Sequence, residues 1–264
     1  MPPGARMGCG KRGVTRGDCS SVRSVRGYLK GLARRLGRSR VGKDFIYASV
    51  LADPASMRFP NVHDWPDGLR GFEDLAFLFS SNQLNHGVAS LQFDEAALLF
   101  GLARDVEQGP IVEIGRFKGG STFILSSAAA PGIEIWSYDL HVALRPDMPG
   151  QQLDVELRSA LERYGLDQKV HLVVADSRKV EPPSTEIEVL FVDGDHSYDG
   201  ARADFDRWGE LVRPGGHLLF HDAVDRGGYG NTYPGVARLA GEVAETDGWE
   251  QQRGAGSIAH FVRT

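Results

Sequence analysis

Cysteine and long apolar runs are the scarce features of this 264-residue sequence. Its two cysteines, Cys9 and Cys19, lie in the first twenty residues, so the rest of the chain depends on no disulfide and needs no oxidising compartment. No stretch approaches the roughly 18 consecutive apolar residues that a membrane-spanning helix requires. The N-terminus also lacks the apolar core of a secretory signal. These absences predict a cytoplasmic protein without a membrane span.

Charge is distributed unevenly along the chain. Residues 1–44 contain twelve Lys or Arg and two Asp, which gives them a net charge of +10. Because the whole chain has a net charge of −5, the other 220 residues together have a net charge of −15. Residues 1–22 show no apolar periodicity, whereas Val25, Leu29, Leu32 and Leu36 recur at helical spacing among basic residues.

We therefore predict a basic, largely disordered N-terminal tail over residues 1–44 and a single domain over residues 45–264. The tail's partner stays open. An anionic membrane, nucleic acid, the acidic remainder of the chain, an organelle-targeting role and a simple solvated tail are the alternatives.

After Pro110, short apolar runs alternate with amphipathic helical stretches. Continuous apolar strands separated by helices indicate a parallel sheet that is covered on both faces. The expected fold is a doubly wound, Rossmann-like α/β domain. The runs are “IVEIG” (111–115), “EIWSYDL” (134–140), “VHLVVAD” (170–176), “EVLFVDG” (188–194) and “GGHLLFHD” (215–222), with a weaker strand “SIAHFV” (257–262) near the end.

Each of the first five runs delivers an acidic residue at or near its carboxyl end. In a doubly wound sheet, ligands bind at the carboxyl ends of the strands. The acids are therefore predicted to line one cleft. They are Glu113, Asp139, Asp176, Asp193 and Asp222.

The stretch “VEIGRFKGGST” joins the first strand to a helix through a glycine loop. Gly115 permits the turn, and Gly119 lets a ligand approach the N–H groups at the helix start. The dinucleotide fingerprint G-x-G-x-x-G fails, because Phe117 stands where its second glycine belongs. Glu113 disfavours a pyrophosphate but suits the cationic amino group and sulfonium of S-adenosylmethionine.

Two later strand ends complete the predicted cofactor site. Asp139, 24 positions after Gly115, is placed to accept the ribose hydroxyls. Asp176 with Ser177 is placed to face the adenine amino group. A nicotinamide cofactor is the alternative, and the missing glycine argues against it.

Four stretches carry a resemblance to a known family. “VEIGRFKGGST”, “YDL”, “VVADS” and “FVDGDHSYDGARADFDRWGELVRPGGHLLFHD” resemble class I S-adenosylmethionine-dependent methyltransferases, in particular macrocin-type sugar, catechol and caffeoyl-CoA O-methyltransferases. The resemblance covers about residues 70–264 and implies a seven-stranded, mostly parallel sheet with helices on both faces. The cofactor contacts that we predict are Glu113, Gly115, Phe117, Gly119, Ser121, Thr122, Asp139, Asp176 and Ser177.

The same resemblance implies a divalent metal. Asp193 matches the ligand at the end of the fourth strand, while His221 and Asp222 match the ligand pair after the fifth. The expected ion is Mg²⁺, which would activate a hydroxyl acceptor. His221 departs from the family pattern, which has an acid or amide there, and imidazole suits Mn²⁺, Fe²⁺ or Zn²⁺ better than Mg²⁺.

His196 stands where the catechol-type enzymes have a catalytic lysine. We predict that it is the general base, beside the catalytic Asp193; packing on the adenine or capping a helix is the alternative. The predicted activity is metal-assisted transfer of a methyl group to a hydroxyl of a sugar or polyhydroxylated small molecule. A nicotinamide-dependent oxidoreductase and a non-catalytic binding protein are the alternatives, and a homo-oligomer is left open.

Overall fold

Seven strands of the described residues form a single sheet. The computed structural model describes residues 66–79, 88–141, 150–184, 186–224 and 233–264. The predicted basic tail (1–44) and the start of the predicted domain at residue 45 lie outside these ranges. The strands are β1 (Ile111–Ile114), β2 (Ile135–Asp139), β3 (Val170–Val174), β4 (Ile187–Val192), β5 (Val212–Phe220), β6 (Trp249–Gln252) and β7 (Ala259–Arg263).

The strand order is β3-β2-β1-β4-β5-β7-β6. The first five strands pair in parallel, whereas β7 runs antiparallel to both β5 and β6. This order is doubly wound from β1, as the alternation of apolar runs and helices predicted. The mostly parallel seven-stranded sheet is thus confirmed.

Five α-helices cover the sheet in the described ranges. They are α1 (Phe93–Asp105), α2 (Gly120–Ala128), α3 (Gly150–Arg163), α4 (Tyr198–Trp208) and α5 (Pro234–Ala244). Short 3-10 segments lie at Phe72–Leu78, Asp167–Lys169 and Gly209–Leu211. No helix in the described part is both long and apolar enough to cross a membrane.

Two hydrophobic cores lie on opposite faces of the sheet. Adjacent strand residues point to opposite faces, so Ile111 belongs to the core under α1, α2 and α3, and Val112 to the core under α4 and α5. All six residues of β4 are buried. Burial on both faces explains why the parallel strands read as continuous apolar runs. Helices on both faces are confirmed.

The neighbouring strands β1 and β4 create the crevice. Ile114 pairs with Val192, so the next residues, Gly115 and Asp193, leave the sheet side by side. Their helices then cross opposite faces, which opens a cleft at the carboxyl edge. Gly115 has φ +92°, and a Cβ there would lie 2.1 Å from the carbonyl oxygen of Asp193. Glycine is therefore required where the two chains diverge.

Candidate cofactor and metal site

Strained backbone is concentrated at this carboxyl edge. In the described part of the chain, three non-glycine residues have positive φ: Phe117 (+49°), His141 (+50°) and Asp222 (+56°). They follow β1, β2 and β5, and each such residue costs about 1–3 kcal/mol unless its surroundings hold it in place. Such strain is common at functional sites, so its position indicates that the cleft is a candidate binding or catalytic site.

A buried ion pair holds the glycine loop after β1 from below. The guanidinium of Arg116 donates to both carboxylate oxygens of Asp154, at 2.8 and 3.0 Å, and to the carbonyl of Ser137 at 2.6 Å. The loop is thereby fixed to α3 and β2 before any ligand arrives. The loop also packs closely on α3 at Gly119, where the Cβ of any other residue would lie 2.4 Å from the side chain of Leu157.

Asp139, the predicted ribose ligand, contacts the same loop. Its carboxylate accepts the backbone N–H groups of Arg116 and Phe117, both at 2.9 Å, and that of His141 at 2.6 Å. A carboxylate has about four acceptor positions, so one remains after these three contacts. The ribose role stays a prediction, and the structure shows that Asp139 also shapes the loop.

Glu113 and Thr122 lie beneath the loop and away from solvent. Glu113 is fully buried, and its Oε2 accepts the hydroxyl groups of Thr122 and Ser137. Burial raises the pKa of Glu113, although these hydroxyls and that of Ser121 oppose the shift. Their predicted cofactor role therefore stays a prediction. A cationic cofactor nearby would favour the ionised form of Glu113 against the effect of burial.

Asp176 and Ser177, predicted to face adenine, are both engaged within the chain. Arg178 donates to both oxygens of Asp176, at 2.7 and 3.0 Å, and lowers its pKa. The Ser177 hydroxyl donates to Oδ1 of Asp204 at 2.6 Å. Burial raises the pKa of Asp204 to about 6. The adenine contact stays a prediction, and Asp204 is a neighbouring acid that sequence reasoning missed.

The three predicted metal ligands meet in one cluster, and His196 joins them. Candidate ligand atoms of Asp193, His196, His221 and Asp222 all lie within 4.8 Å of one another. Nδ1 of His221 is 3.0 Å from Oδ1 of Asp193. Nε2 of His196 is 3.4 Å from that same oxygen and 3.3 Å from Oδ2 of Asp222. Asp193 follows β4, the pair follows β5, and His196 precedes α4, so adjacent strand ends assemble the cluster.

The charges in this cluster are strongly coupled. Burial alone would lower the pKa of His196, but Asp193 and Asp222 outweigh it and raise the pKa to about 9. Burial would also lower the pKa of His221, but Asp193 and Glu95 outweigh burial and raise that pKa well above its ordinary value. The pKa of Asp193 is held low by the two imidazoles despite its burial. The arrangement favours positive charge between the carboxylates, whether protons or a divalent cation carry it.

The donor chemistry fits a divalent cation. Nε2 of His196 is buried and has no hydrogen-bond partner, although it faces both carboxylates. The ring is held against that of Tyr233, with 4.2 Å between the ring centroids. Carboxylate oxygens suit Mg²⁺, but imidazole nitrogen among them favours Mn²⁺, Fe²⁺ or Zn²⁺. The donor atoms of the cluster therefore fit Mn²⁺, Fe²⁺ or Zn²⁺ better than the Mg²⁺ that the family resemblance implied.

Comparison with known proteins agrees with this geometry. Residues 112–223 match the family model described as a methyltransferase domain. The match runs from β1 through the glycine loop to the residues just after Asp222. The resemblance expected from the sequence is confirmed over this range.

Curated relatives are distant. An uncharacterized protein of Acanthamoeba polyphaga mimivirus is 24% identical over 159 residues, which are 55% of this chain and 66% of that protein. An uncharacterized protein of Sinorhizobium fredii is 26% identical over 124 residues, 44% of this chain and 13% of that protein. The matches span less than two thirds of these relatives' lengths.

Solved structures share the fold. A methyltransferase from Geobacter sulfurreducens superimposes with a TM-score of 0.51 at 17% identity, covering 66% of this chain and 80% of its own. A cofactor-bound protein from MTB superimposes with a TM-score of 0.52 at 18% identity, covering 88% and 95%. At these identities the likeness establishes the architecture.

Proposed function

We propose that this chain, which carries a methyltransferase domain across residues 112–223, transfers a methyl group from S-adenosylmethionine to a hydroxyl of a small molecule with the help of a divalent cation. The observation that carries the proposal is the cluster of Asp193, His196, His221 and Asp222 directly beside the glycine loop. A cofactor on that loop would hold its methyl group close to an acceptor on the cluster. The polyhydroxylated or sugar character of the acceptor rests on the family resemblance.

The loop side of the cleft supports a cationic cofactor. Its walls include Asp139, whose carboxylate orders the loop, and the buried Glu113 below it. Negative charge attracts a sulfonium and an ammonium group, whereas it repels the pyrophosphate of a dinucleotide. Phe117 also occupies, with φ +49°, the position where a dinucleotide site has a glycine. These features favour S-adenosylmethionine over a nicotinamide cofactor.

The cluster side supports activation of a hydroxyl. Asp193, His221 and Asp222 would hold the cation, and His196 would take the proton. A bound divalent cation lowers the pKa of a hydroxyl group that it contacts. With their charge offset, the two carboxylates would no longer keep His196 protonated, and its Nε2 would then be able to accept the proton. Fixed positions for both reactants then serve the in-line displacement.

The experiment is calorimetry with S-adenosylhomocysteine, followed by methyl transfer from labelled S-adenosylmethionine to sugars and catechols. We expect S-adenosylhomocysteine to bind, activity to vanish in EDTA, and a divalent ion to restore it. Binding of NADH in place of S-adenosylhomocysteine would contradict the cofactor assignment. Full turnover in chelator would remove the cation from the reaction, and binding without transfer to any acceptor would support the non-catalytic alternative.

A further inference from the structure

Glu95 lies outside the matched segment 112–223 but reaches the cluster from the start of α1. Its Oε2 accepts the N–H of Gln92 at 2.7 Å and lies 3.3 Å from Nε2 of His221. Its Oε1 accepts the N–H and the hydroxyl of Ser257, at 2.6 and 2.8 Å. Only 2% of the residue is exposed. One carboxylate thus joins α1, the turn before β7 and the end of β5.

The surrounding turn is built to admit this side chain. Gly256 has φ +49°, and a Cβ there would lie 2.3 Å from Oε1 of Glu95. Glu95 and Gln92 also form the capping box at the N-terminus of α1, a role that Gln fills as well as Glu. Burial of a full carboxylate is costly unless it is paired, so the cap alone does not account for the charge. The side chain of the cluster that this carboxylate faces is the imidazole of His221.

The two ring nitrogens of His221 face different groups. Nε2 faces Glu95, while Nδ1 lies 3.0 Å from Asp193 Oδ1 and 3.7 Å from Asp222 Oδ2. In a neutral imidazole one nitrogen carries the hydrogen and the other a lone pair. A carboxylate that accepts the Nε2 hydrogen leaves the Nδ1 lone pair directed between the two acids. Histidine ligands of metals typically donate their other N–H to such a carboxylate.

We propose that Glu95 is a positioning residue of the metal centre, which fixes the tautomer and the orientation of His221 so that Nδ1 is a metal donor. The inference rests on the cation of the proposed function and deepens it. An acid or amide at position 221, as in the resembling family, would need no such partner, whereas an imidazole does. With nitrogen among the donors, the preferred ion is of the Mn²⁺ or Zn²⁺ class and not Mg²⁺.

The test uses the full chain with Mn²⁺ as the probe. Calorimetry measures Mn²⁺ and Mg²⁺ affinity, and pulsed electron paramagnetic resonance detects the ¹⁴N coupling of an imidazole bound to Mn²⁺. For the wild type we expect tighter binding of Mn²⁺ than of Mg²⁺, and a ¹⁴N coupling. His221→Gln should remove the coupling, whereas His196→Gln should retain it.

Glu95→Gln is the decisive variant. The amide keeps the volume but removes the negative charge, and its one oxygen replaces only one of the two carboxylate oxygens that accept from Gln92 and Ser257. We expect Mn²⁺ affinity to fall by about 10–100-fold and the coupling to weaken, with S-adenosylhomocysteine affinity unchanged. Glu188→Gln is the matched control, because Glu188 is another buried acid and pairs with Arg213. It should leave Mn²⁺ binding unchanged.

Three results would overturn the proposal. The first is unchanged Mn²⁺ affinity and coupling in Glu95→Gln, and the second is a wild type that binds Mn²⁺ without nitrogen coupling. The third is a wild type that binds no divalent ion. S-adenosylhomocysteine affinity, measured on the same samples, separates these failures from a failure of the methyl-transfer proposal.

Discussion

The buried carboxyl group of Asp204 makes the free energy of unfolding depend on pH. It is 3% exposed, and its ionised form loses most of its water on folding. The pKa is therefore about 6, above the ordinary value of 3.8. Below about pH 4 the group is protonated in both states and has no effect. Between about pH 4 and 6 the unfolded state ionises first, so stability falls with rising pH and the loss is complete above pH 6.

Asp204→Asn should therefore stabilise the protein at neutral pH. Asparagine keeps an oxygen that accepts the Ser177 hydroxyl but carries no charge to desolvate. We expect a gain of about 1–3 kcal/mol in the free energy of unfolding at pH 7.5, shrinking toward zero at pH 4. Urea unfolding at both pH values measures it. The exposed Asp247→Asn serves as control, and an equal gain at the two pH values would contradict the desolvation argument.

The sequence predicted some of the residues that the structure brings together at this edge and missed others. Asp193, His221 and Asp222 were predicted to meet because the ends of adjacent parallel strands share one edge, and the structure brings them together. Glu95 was missed because 126 positions separate it from His221 and its local pattern indicates only a helix start. Arg116 and Asp154, 38 positions apart, look locally like ordinary surface charges.

At the scale of elements, the divergence of β1 and β4 depends on Gly115. A side chain at this position meets two obstacles, φ of +92° and a backbone oxygen 2.1 Å from the Cβ position. That oxygen belongs to Asp193, so any displacement also shifts the cluster. A flexible side chain could move aside, but the backbone that directly follows the central strand β4 cannot do so without a larger energetic cost.

Gly115→Ala should lower the free energy of unfolding by about 2–4 kcal/mol and weaken cation binding. Gly241→Ala is the matched control, because Gly241 lies inside α5 with no atom within 4 Å of its Cβ position. That change should stabilise the protein by about 0.5–1 kcal/mol through helix propensity. Denaturant unfolding of both variants, with Mn²⁺ calorimetry, measures the contrast. Similar stability of the two variants would contradict the close-approach argument.

The strands differ in how clearly their local sequences predict them. β4 is buried at every position, so its apolar run predicted it. β6 is the sheet's edge strand, Trp249–Gln252, and reads “WEQQ” with both central residues exposed. An edge strand exposes its polar side chains and its pairing depends on β7, so no local hydrophobic pattern signals it. Sequence reasoning therefore predicted the parallel centre of the sheet more completely than its antiparallel edge.

At the scale of the whole molecule, fold class followed from periodicity, but the placement of the basic tail did not. Alternating strands and helices leave few arrangements other than a doubly wound sheet. The charge of the tail does not restrict its position in the same way, because surface charges are screened by salt and do not specify one binding partner or contact. The boundary near residue 44 thus stays a prediction from charge and composition alone.

Removal of residues 1–42 tests that boundary. These residues hold eleven basic and one acidic side chain, so a protein that begins at Lys43 loses a charge of +10. The buried hydrophobic residues of the described part run from Leu75 to Phe261, so both sheet cores lie downstream. We expect the shortened protein to fold, with its melting temperature within a few degrees of the full chain and its S-adenosylhomocysteine affinity unchanged. Thermal unfolding and calorimetry at low and high salt measure this. A large fall in melting temperature would show that the segment contributes to the stability of the domain, and a fall confined to low salt would assign that contribution to its charge.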